Sequence, residues 1–346
     1  MGKQNNTKMG VETKSVRQRK KSDKSNDSEQ EVVVKKDSAV NGDEKSSKQR
    51  KQKKPASILT SYRIWTRLVI VSAVLIIGYF TANKNKERPF ALRREKIVLR
   101  TQNVDCSPDY LNEIAGFKTC VPNKCGRFVS DSLVTEQEAN LLLDLAIKGL
   151  SFGGGSGGVS ILDLHSGALS KNENFVNIYT LPEAKGFLND EVLKAYKIIR
   201  LKIAKAIADK FAIDVNAIYL THPTFISRID NTTAKTVHDE YWHPHVDKET
   251  YSSFHYTSLL YLNDHRRDFT GGRFIFIDVN KDDNRTTYSS IEPKKGRVSV
   301  FTSGAENIHH IEKVTMGTRY AMTISFSCNR EFAIADPAEQ KHTDKK

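Results

Sequence analysis

Polar positions dominate residues 1–57, and the one apolar patch, Val32-Val33-Val34, is too short to seed a core. Such a stretch buries too little apolar surface to offset the entropy of ordering it, so the pattern predicts disorder. Hydrophobic positions then crowd together. From Leu68 to Ala82 there are 15 residues without a charge, and from Ile64 the run is 19 with Arg67 near one end. A helix needs about 20 apolar residues to cross roughly 30 Å of hydrocarbon. Residues 64–83 are therefore expected to form a transmembrane helix, with Arg67 snorkelling to the headgroups and Tyr62, Trp65, Tyr79 and Phe80 at interfacial depth. The 63 residues before it argue for a retained signal-anchor over a cleavable signal peptide.

Beyond the span the periodicity changes twice. Thr135-Glu-Gln-Glu138 reads as a capping box, followed by Ala139, Leu142, Leu143 and Ala146 at helical spacing. Asn189-Asp190 opens a second helix whose Val192, Leu193, Tyr196, Ile199, Ile203 and Ile207 form one stripe. After residue 218 short β-branched and aromatic runs alternate with turn residues: Thr224–Ile229, Tyr256–Leu262, Arg273–Ile277, Thr287–Ile291, Arg297–Phe301, Ile308–Val314 and Tyr320–Ser325. Short strands after a helical lead-in predict a sandwich or barrel backed by helices. The run Gly153-Gly-Gly-Ser-Gly-Gly158 lacks the Lys-Ser/Thr of a phosphate-binding loop and is expected to be a mobile loop near a site entrance.

Charge and cysteine usage sharpen this outline. Residues 1–63 carry 17 Lys and Arg against 8 Asp and Glu, which is +9 of the chain's +13. The basic runs Arg17–Lys21 and Lys48–Lys54 suit nucleic acid or anionic lipid, but the span that follows argues against a nucleic-acid role. The same asymmetry favours the N-terminus in the cytosol and the bulk of the chain in a lumen. All four cysteines, Cys106, Cys120, Cys125 and Cys328, follow the span, an even number in a compartment that permits disulfides, with three pairings open. Asn231-Thr-Thr and Asn284-Arg-Thr are glycan acceptors on the luminal side.

The chemistry lies in the C-terminal half, where seven of ten histidines fall between 238 and 310. In Tyr241-Trp-His-Pro-His-Val-Asp247, strand geometry puts His245 and Asp247 on one face. A third ligand comes from far along the chain, with His309 and His310 both candidates. Two imidazoles and one carboxylate with open positions form the ligand set of non-haem Fe(II) oxygenases. A His243–His245 pair would instead suit zinc. Tyr261-Leu-Asn263 ends one expected strand, Gly271-Gly272 makes a tight turn into the next, and Arg319 stands ten residues after His309. A guanidinium there can hold a carboxylate bidentately.

From about residue 222 to 328 these motifs resemble the prolyl 4-hydroxylase-type catalytic domain of 2-oxoglutarate- and Fe(II)-dependent dioxygenases. The resemblance implies a mainly β fold with supporting helices, a double-stranded β-helix (jelly roll). It implies His245, Asp247 and His309 as iron ligands. It gives Arg319 to the 5-carboxylate of 2-oxoglutarate, with Tyr261 assisting. The ten-residue spacing to Arg319 selects His309, although a nine-residue spacing in the wider family would select His310. Fe(II), 2-oxoglutarate, O2 and ascorbate are the implied cofactors and co-substrates, and a protein or peptide the implied substrate. Collagen-type relatives carry Lys where Arg319 stands, which leaves the hydroxylated side chain open.

The expected layout is then a disordered basic cytosolic tail (1–63), a transmembrane signal-anchor helix (64–83), a luminal stem (84–120), a dioxygenase domain (121–332) and a flexible C-terminal tail (333–346). It describes a single-pass type II membrane protein of the endoplasmic reticulum or Golgi. The alternative is a non-catalytic binding module that retains the fold.

Overall fold

The computed structural model describes residues 58–82, 87–280 and 285–337. The disorder expected for 1–57 and the sequon at Asn284 lie outside them. Helix α1 (Ile58–Ala82) starts six residues earlier than expected. Its window Tyr62–Thr81 has mean hydropathy 1.9 and no buried residue, and its 20 residues span about 30 Å at 1.5 Å each.

The body begins with β1 (Glu87–Ala91), β2 (Arg100–Asn103), α2 (Pro108–Ile114) and β3 (Gly126–Ser130). Next come α3 (Glu136–Ser151), β4 (Gly154–Gly155), β5 (Val159–Asp163), β6 (Ala168–Asn172), β7 (Asn174–Asn177) and α4 (Asp190–Phe211). The C-terminal half holds β8 (Tyr219–Asp230), α5 (Asp247–Thr250), β9 (Tyr256–Tyr261), β10 (Phe269–Gly271), β11 (Phe274–Val279), β12 (Thr286–Ile291), β13 (Val298–Thr302), β14 (His309–Ile311) and β15 (Val314–Ser327).

Two sheets form a mainly β jelly roll, the fold that the family resemblance implied. The larger runs β2-β3-β13-β9-β15-β8-β5-β6-β4, with β10 on β15 and β7 on β6; the smaller runs β1-β12-β11-β14. Both predicted helices form. Thr135 and Glu138 make the capping box that starts α3, and Asn189 caps α4 through the Val192 N–H. The α4 stripe Tyr196, Ile199, Ile203 and Ile207 is buried with α3 against the larger sheet, in one cluster with Leu162, Ile226, Leu260 and Met322. A second core layer, including Leu259, Tyr261, Phe274, Phe276 and Phe301, lies on the other side, between the sheets.

Three expectations need correction. Residues 84–120 are not a stem. From Glu87 onward β1 adds to the smaller sheet in parallel with β12, β2 pairs with β3, and Tyr110, Ile114 and Cys120 are buried. A stem reading failed because each partner strand is distant in sequence. The Gly-rich run is not a free loop: Gly154 and Gly155 pair with β6, and a Cβ on Gly157 would stand 2.0 Å from the Asp239 carboxylate. The C-terminal segment is anchored as far as Pro337, because Ile334 donates to the Leu220 carbonyl and Asp336 pairs with Arg200 at 3.0 Å. The cysteines pair Cys106 with Cys125 and Cys120 with Cys328, so one bridge ties the segment after α2 to the end of β15.

Candidate active site

His245 and His309 face each other across an antiparallel bridge, His245 N–H to His309 carbonyl at 2.9 Å and the reverse at 3.1 Å. That bridge joins segments 64 residues apart and sets the two rings 4.4 Å apart. Asp247, two residues on, is the first residue of α5, not a strand position. The convergence expected from strand alternation is thus reached by a strand bridge followed by a helix start. One ligand atom from each of His245, Asp247 and His309 falls within 4.8 Å of the other two. Asp247 Oδ1 stands 3.7 Å from His245 Nε2 and 3.4 Å from His309 Nε2.

The surroundings fix how these groups present themselves. His309 Nδ1 is 2.8 Å from the Asn307 carbonyl and His245 Nδ1 is 3.0 Å from the His243 carbonyl. A carbonyl only accepts, so each Nδ1 carries a hydrogen and each Nε2 is the ring atom presented toward Asp247. Phe274 stacks on His309 at 4.8 Å and Phe301 packs against it at 4.9 Å, leaving that imidazole 3% exposed. Burial, with His309 alongside, holds the His245 imidazole below its ordinary pKa and therefore neutral. Burial pushes the Asp247 carboxyl up, but His309 and the Thr257 hydroxyl outweigh it, and the group ends below its ordinary value. A neutral imidazole at His245 and a carboxylate at Asp247 are protonation states that suit a divalent metal.

His310 is not part of this set. It pairs with Ile275 while His309 pairs with Phe276, and adjacent strand residues face opposite ways. His243 turns outward and meets Glu240 at 2.8 Å, which removes the alternative zinc pair.

Arg319 is fully buried on β15, antiparallel to Ile229 of β8. Its Nε donates to the Gly272 carbonyl at 3.0 Å, while neither terminal nitrogen meets an acceptor among the described residues. Gly272, at φ +64°, is tightly set: a Cβ there would lie 3.0 Å from Arg319 Cδ, Phe269 Cε2 and Val314 Cγ2. The ring of Tyr261 lies 5.6 Å from the guanidinium, and its hydroxyl is 3.4 Å from Ser299 Oγ. Arg319 and the His–Asp–His set line one cavity of about 260 Å³, whose other walls combine apolar residues such as Phe225, Leu259 and Ile311 with hydroxyl side chains such as Ser227, Thr257 and Thr323. A buried guanidinium with two unpaired donors, facing a cavity that also holds a triad of metal-ligand atoms, suits an anion with one end on the metal and a carboxylate at the other. Tyr241 also lines the cavity, its phenol oxygen accepting the Val314 N–H at 2.9 Å. The sequence reading missed the Asn307 carbonyl and the Gly272 carbonyl, because main-chain acceptors leave no signal in residue identity.

The family model for the 2OG-Fe(II) oxygenase superfamily matches residues 232–327. The chain is similar to 2-oxoglutarate and iron-dependent oxygenase domain-containing protein 3 of Xenopus tropicalis, 49% identical over 282 residues, covering 81% of this chain and 83% of that protein. The human protein of the same name is 47% identical over 271 residues, covering 78% and 83%. Among solved structures it is similar to a prolyl hydroxylase from Trichoplax adhaerens in complex with a hypoxia inducible factor oxygen degradation domain peptide fragment. That match has a TM-score of 0.40 and 14% identity over 68% of this chain and 97% of the other.

Proposed function

The chain belongs to the 2OG-Fe(II) oxygenase superfamily and is a 2-oxoglutarate-dependent dioxygenase with Fe(II) as its metal; from that premise we propose that it is a membrane-anchored enzyme hydroxylating a protein side chain in the lumen of the endoplasmic reticulum or Golgi. His245, Asp247 and His309 hold the iron, and Arg319 grips the distal carboxylate of 2-oxoglutarate. The carrying observation is one cavity that contains both a His–Asp–His cluster and a buried guanidinium with two unpaired donors. A ferrous ion held there by His245, Asp247 and His309 would supply O2 activation coupled to conversion of 2-oxoglutarate to succinate and CO2, with ascorbate as its reductant.

The chain's own residues do the rest. The Asn307 and His243 carbonyls fix the imidazole rings so that both Nε2 atoms point inward. Gly272 holds the Arg319 side chain by its Nε and leaves the two terminal nitrogens for bidentate contact. The ring of Tyr261 supports the guanidinium from one side.

The luminal assignment rests on α1, on two disulfides in the body and on Asn231, which is exposed just past β8. Four residues, 83–86, join α1 to β1, a reach of at most about 18 Å at ~3.6 Å per step. The body therefore works against the bilayer surface, and its protein substrates are membrane-proximal or membrane-bound. The direct test incubates the purified full chain with Fe(II), 2-oxoglutarate, ascorbate and a luminal protein extract, and follows succinate and +16 Da products. Succinate that depends on the extract and vanishes in Asp247→Ala is the expected outcome. Absence of 2-oxoglutarate and metal binding in the intact chain would overturn it.

A further inference from the structure

We propose that Asn263 is a positioning residue for co-substrate binding: its side-chain amide takes the place of a strand partner on both sides of Arg319 and fixes the main chain from which the guanidinium reaches into the cavity. The inference rests on the assignment of Arg319 above and concerns a residue that is not part of the cavity wall.

The strand pattern around β15 creates the need for it. The register of β9 with β15 ends at Tyr261 opposite Ala321, and that of β10 begins at Phe269 opposite Gly317. Thr318, Arg319 and Tyr320 fall between the two. Toward β8 they stay paired, opposite Asp230, Ile229 and Arg228. Toward β9 the main chain gives the Leu262 N–H to the Tyr320 carbonyl at 3.0 Å, and the next residue answers with its side chain. Asn263 Nδ2 donates to the Thr318 carbonyl at 2.7 Å, and its Oδ1 accepts the Tyr320 N–H at 2.9 Å. A carbonyl only accepts and a main-chain N–H only donates, so the amide has one possible orientation. The two bonds flank Arg319, and Asn263 itself is buried.

Arg319 is thereby held at both ends. The Gly272 carbonyl takes its Nε, and the Asn263 amide sets the main chain around its Cα. An arginine side chain has several rotatable bonds, and a bidentate grip tolerates little error in the direction of the fork. Fixing both ends sets that direction before a ligand arrives.

The test uses the full chain in detergent, with Mn(II) in place of Fe(II), and calorimetric binding of two keto acids. 2-Oxoglutarate has the distal carboxylate; 2-oxobutyrate keeps the keto-acid end and lacks it. Asn263→Ala is expected to weaken 2-oxoglutarate about tenfold, the effect of a misaimed pair of charged donors, and to leave 2-oxobutyrate and Mn(II) binding within about twofold. Asn263→Asp keeps the side-chain shape and the acceptor for the Tyr320 N–H but loses the donor to Thr318, and is expected to show the same selective loss. In an Arg319→Met background either substitution is expected to change 2-oxoglutarate binding by less than about twofold, because the group to be positioned is gone. Equal weakening of both keto acids, unchanged 2-oxoglutarate binding, or a loss of the same size repeated in the Arg319→Met background each overturns the proposal. Arg319→Met alone is the separate control: if it weakens both keto acids alike, the assignment of Arg319 has failed and the positioning role falls with it.

Discussion

On the function proposed above, Arg319 is the residue at which a folding penalty and a binding function meet. Its guanidinium is fully buried, and of its donors the Nε finds the Gly272 carbonyl while both terminal nitrogens find no acceptor among the described residues. Burial pulls its pKa below the ordinary value, the sign of a charge held where solvation is poor. A buried polar group without its partner costs roughly 1–3 kcal/mol, more if charged. Arg319→Met keeps most of the side-chain volume and removes the charge. The ligand-free variant should then be more stable than wild type by about 1 kcal/mol, or roughly 2–4 °C in a body of this size. Binding reverses the order. At a hundred times Kd, 2-oxoglutarate stabilises wild type by about 2.7 kcal/mol. Losing two charge-assisted bonds, about 3 kcal/mol together, weakens binding roughly 150-fold and leaves only about 0.3 kcal/mol of stabilisation at the same concentration. The assay is thermal unfolding of both proteins with Mn(II), with and without 2-oxoglutarate, so that the two melting curves cross over. A variant that melts lower than wild type without ligand, yet rises as far as wild type with it, would refute the argument on both counts.

His255 is 1% exposed, and burial followed by the nearby Lys248 drops its pKa from 6.5 to about 3. Between those values the unfolded chain binds a proton that the folded chain refuses. Stability is thus full above pH 6.5 and falls toward pH 3 with a slope of about 1.4 kcal/mol per pH unit from this group; His255→Asn should remove one proton from that slope in urea titrations at stepped pH. The Cys120–Cys328 bridge closes 208 residues and Cys106–Cys125 closes 19. The chain-entropy relation gives about 5 and about 3 kcal/mol, so serine pairs at the first should lower the denaturation midpoint more than at the second. A secreted chain starting at residue 121 should aggregate while one starting at 85 folds, because only the second keeps β1, β2 and α2; gel filtration of both decides this. Gly272→Ala at φ +64°, with three heavy atoms 3.0 Å from the new methyl, should raise the Kd for 2-oxoglutarate at least tenfold while Mn(II) binding measured without keto acid stays within twofold.

What the sequence disclosed and what it withheld follow a physical division. Local rules carried the helices: a capping box at Thr135 and a stripe from Val192 to Ile207 need no knowledge of distant partners. Spacing carried the triad, since His245 and Asp247 are near neighbours and the ten residues from His309 to Arg319 run along β14 and into β15. Choosing His309 over His310 took the register of β14 on β11, in which neighbouring residues must face opposite ways. Chain order withheld the rest. β1 is stable only because β12, some 200 residues later, offers it an edge, and β2 only because β3 does. Neither strand has a strong apolar alternation of its own: β1 is Glu-Arg-Pro-Phe-Ala and β2 is Arg-Thr-Gln-Asn. A polar segment that reads as a spacer is bound in place by main-chain hydrogen bonds that any side chain permits.

That same division accounts for how the site is assembled. Side chains at 245, 247, 309 and 319, drawn from a strand bridge, the start of α5, β14 and β15, line one cavity without a segment devoted to holding them together. The edge strand that completes the smaller sheet is then available for another purpose. Here it is the first segment after the span, and Glu87 meets Arg273 at 2.5 Å, next to the Gly272 that holds Arg319. Arg273 also binds Glu312, three residues after His309. The first strand of the body, the Gly272 turn and the strand that carries His309 therefore share one ion-paired corner. Arg273→Ala should weaken 2-oxoglutarate binding by releasing the turn, and a Gly/Ser insertion at 83–86 should leave the isolated binding constants unchanged while altering which membrane-proximal proteins are hydroxylated. Identical product spectra from the inserted and native chains would mean that the short tether does not select substrates.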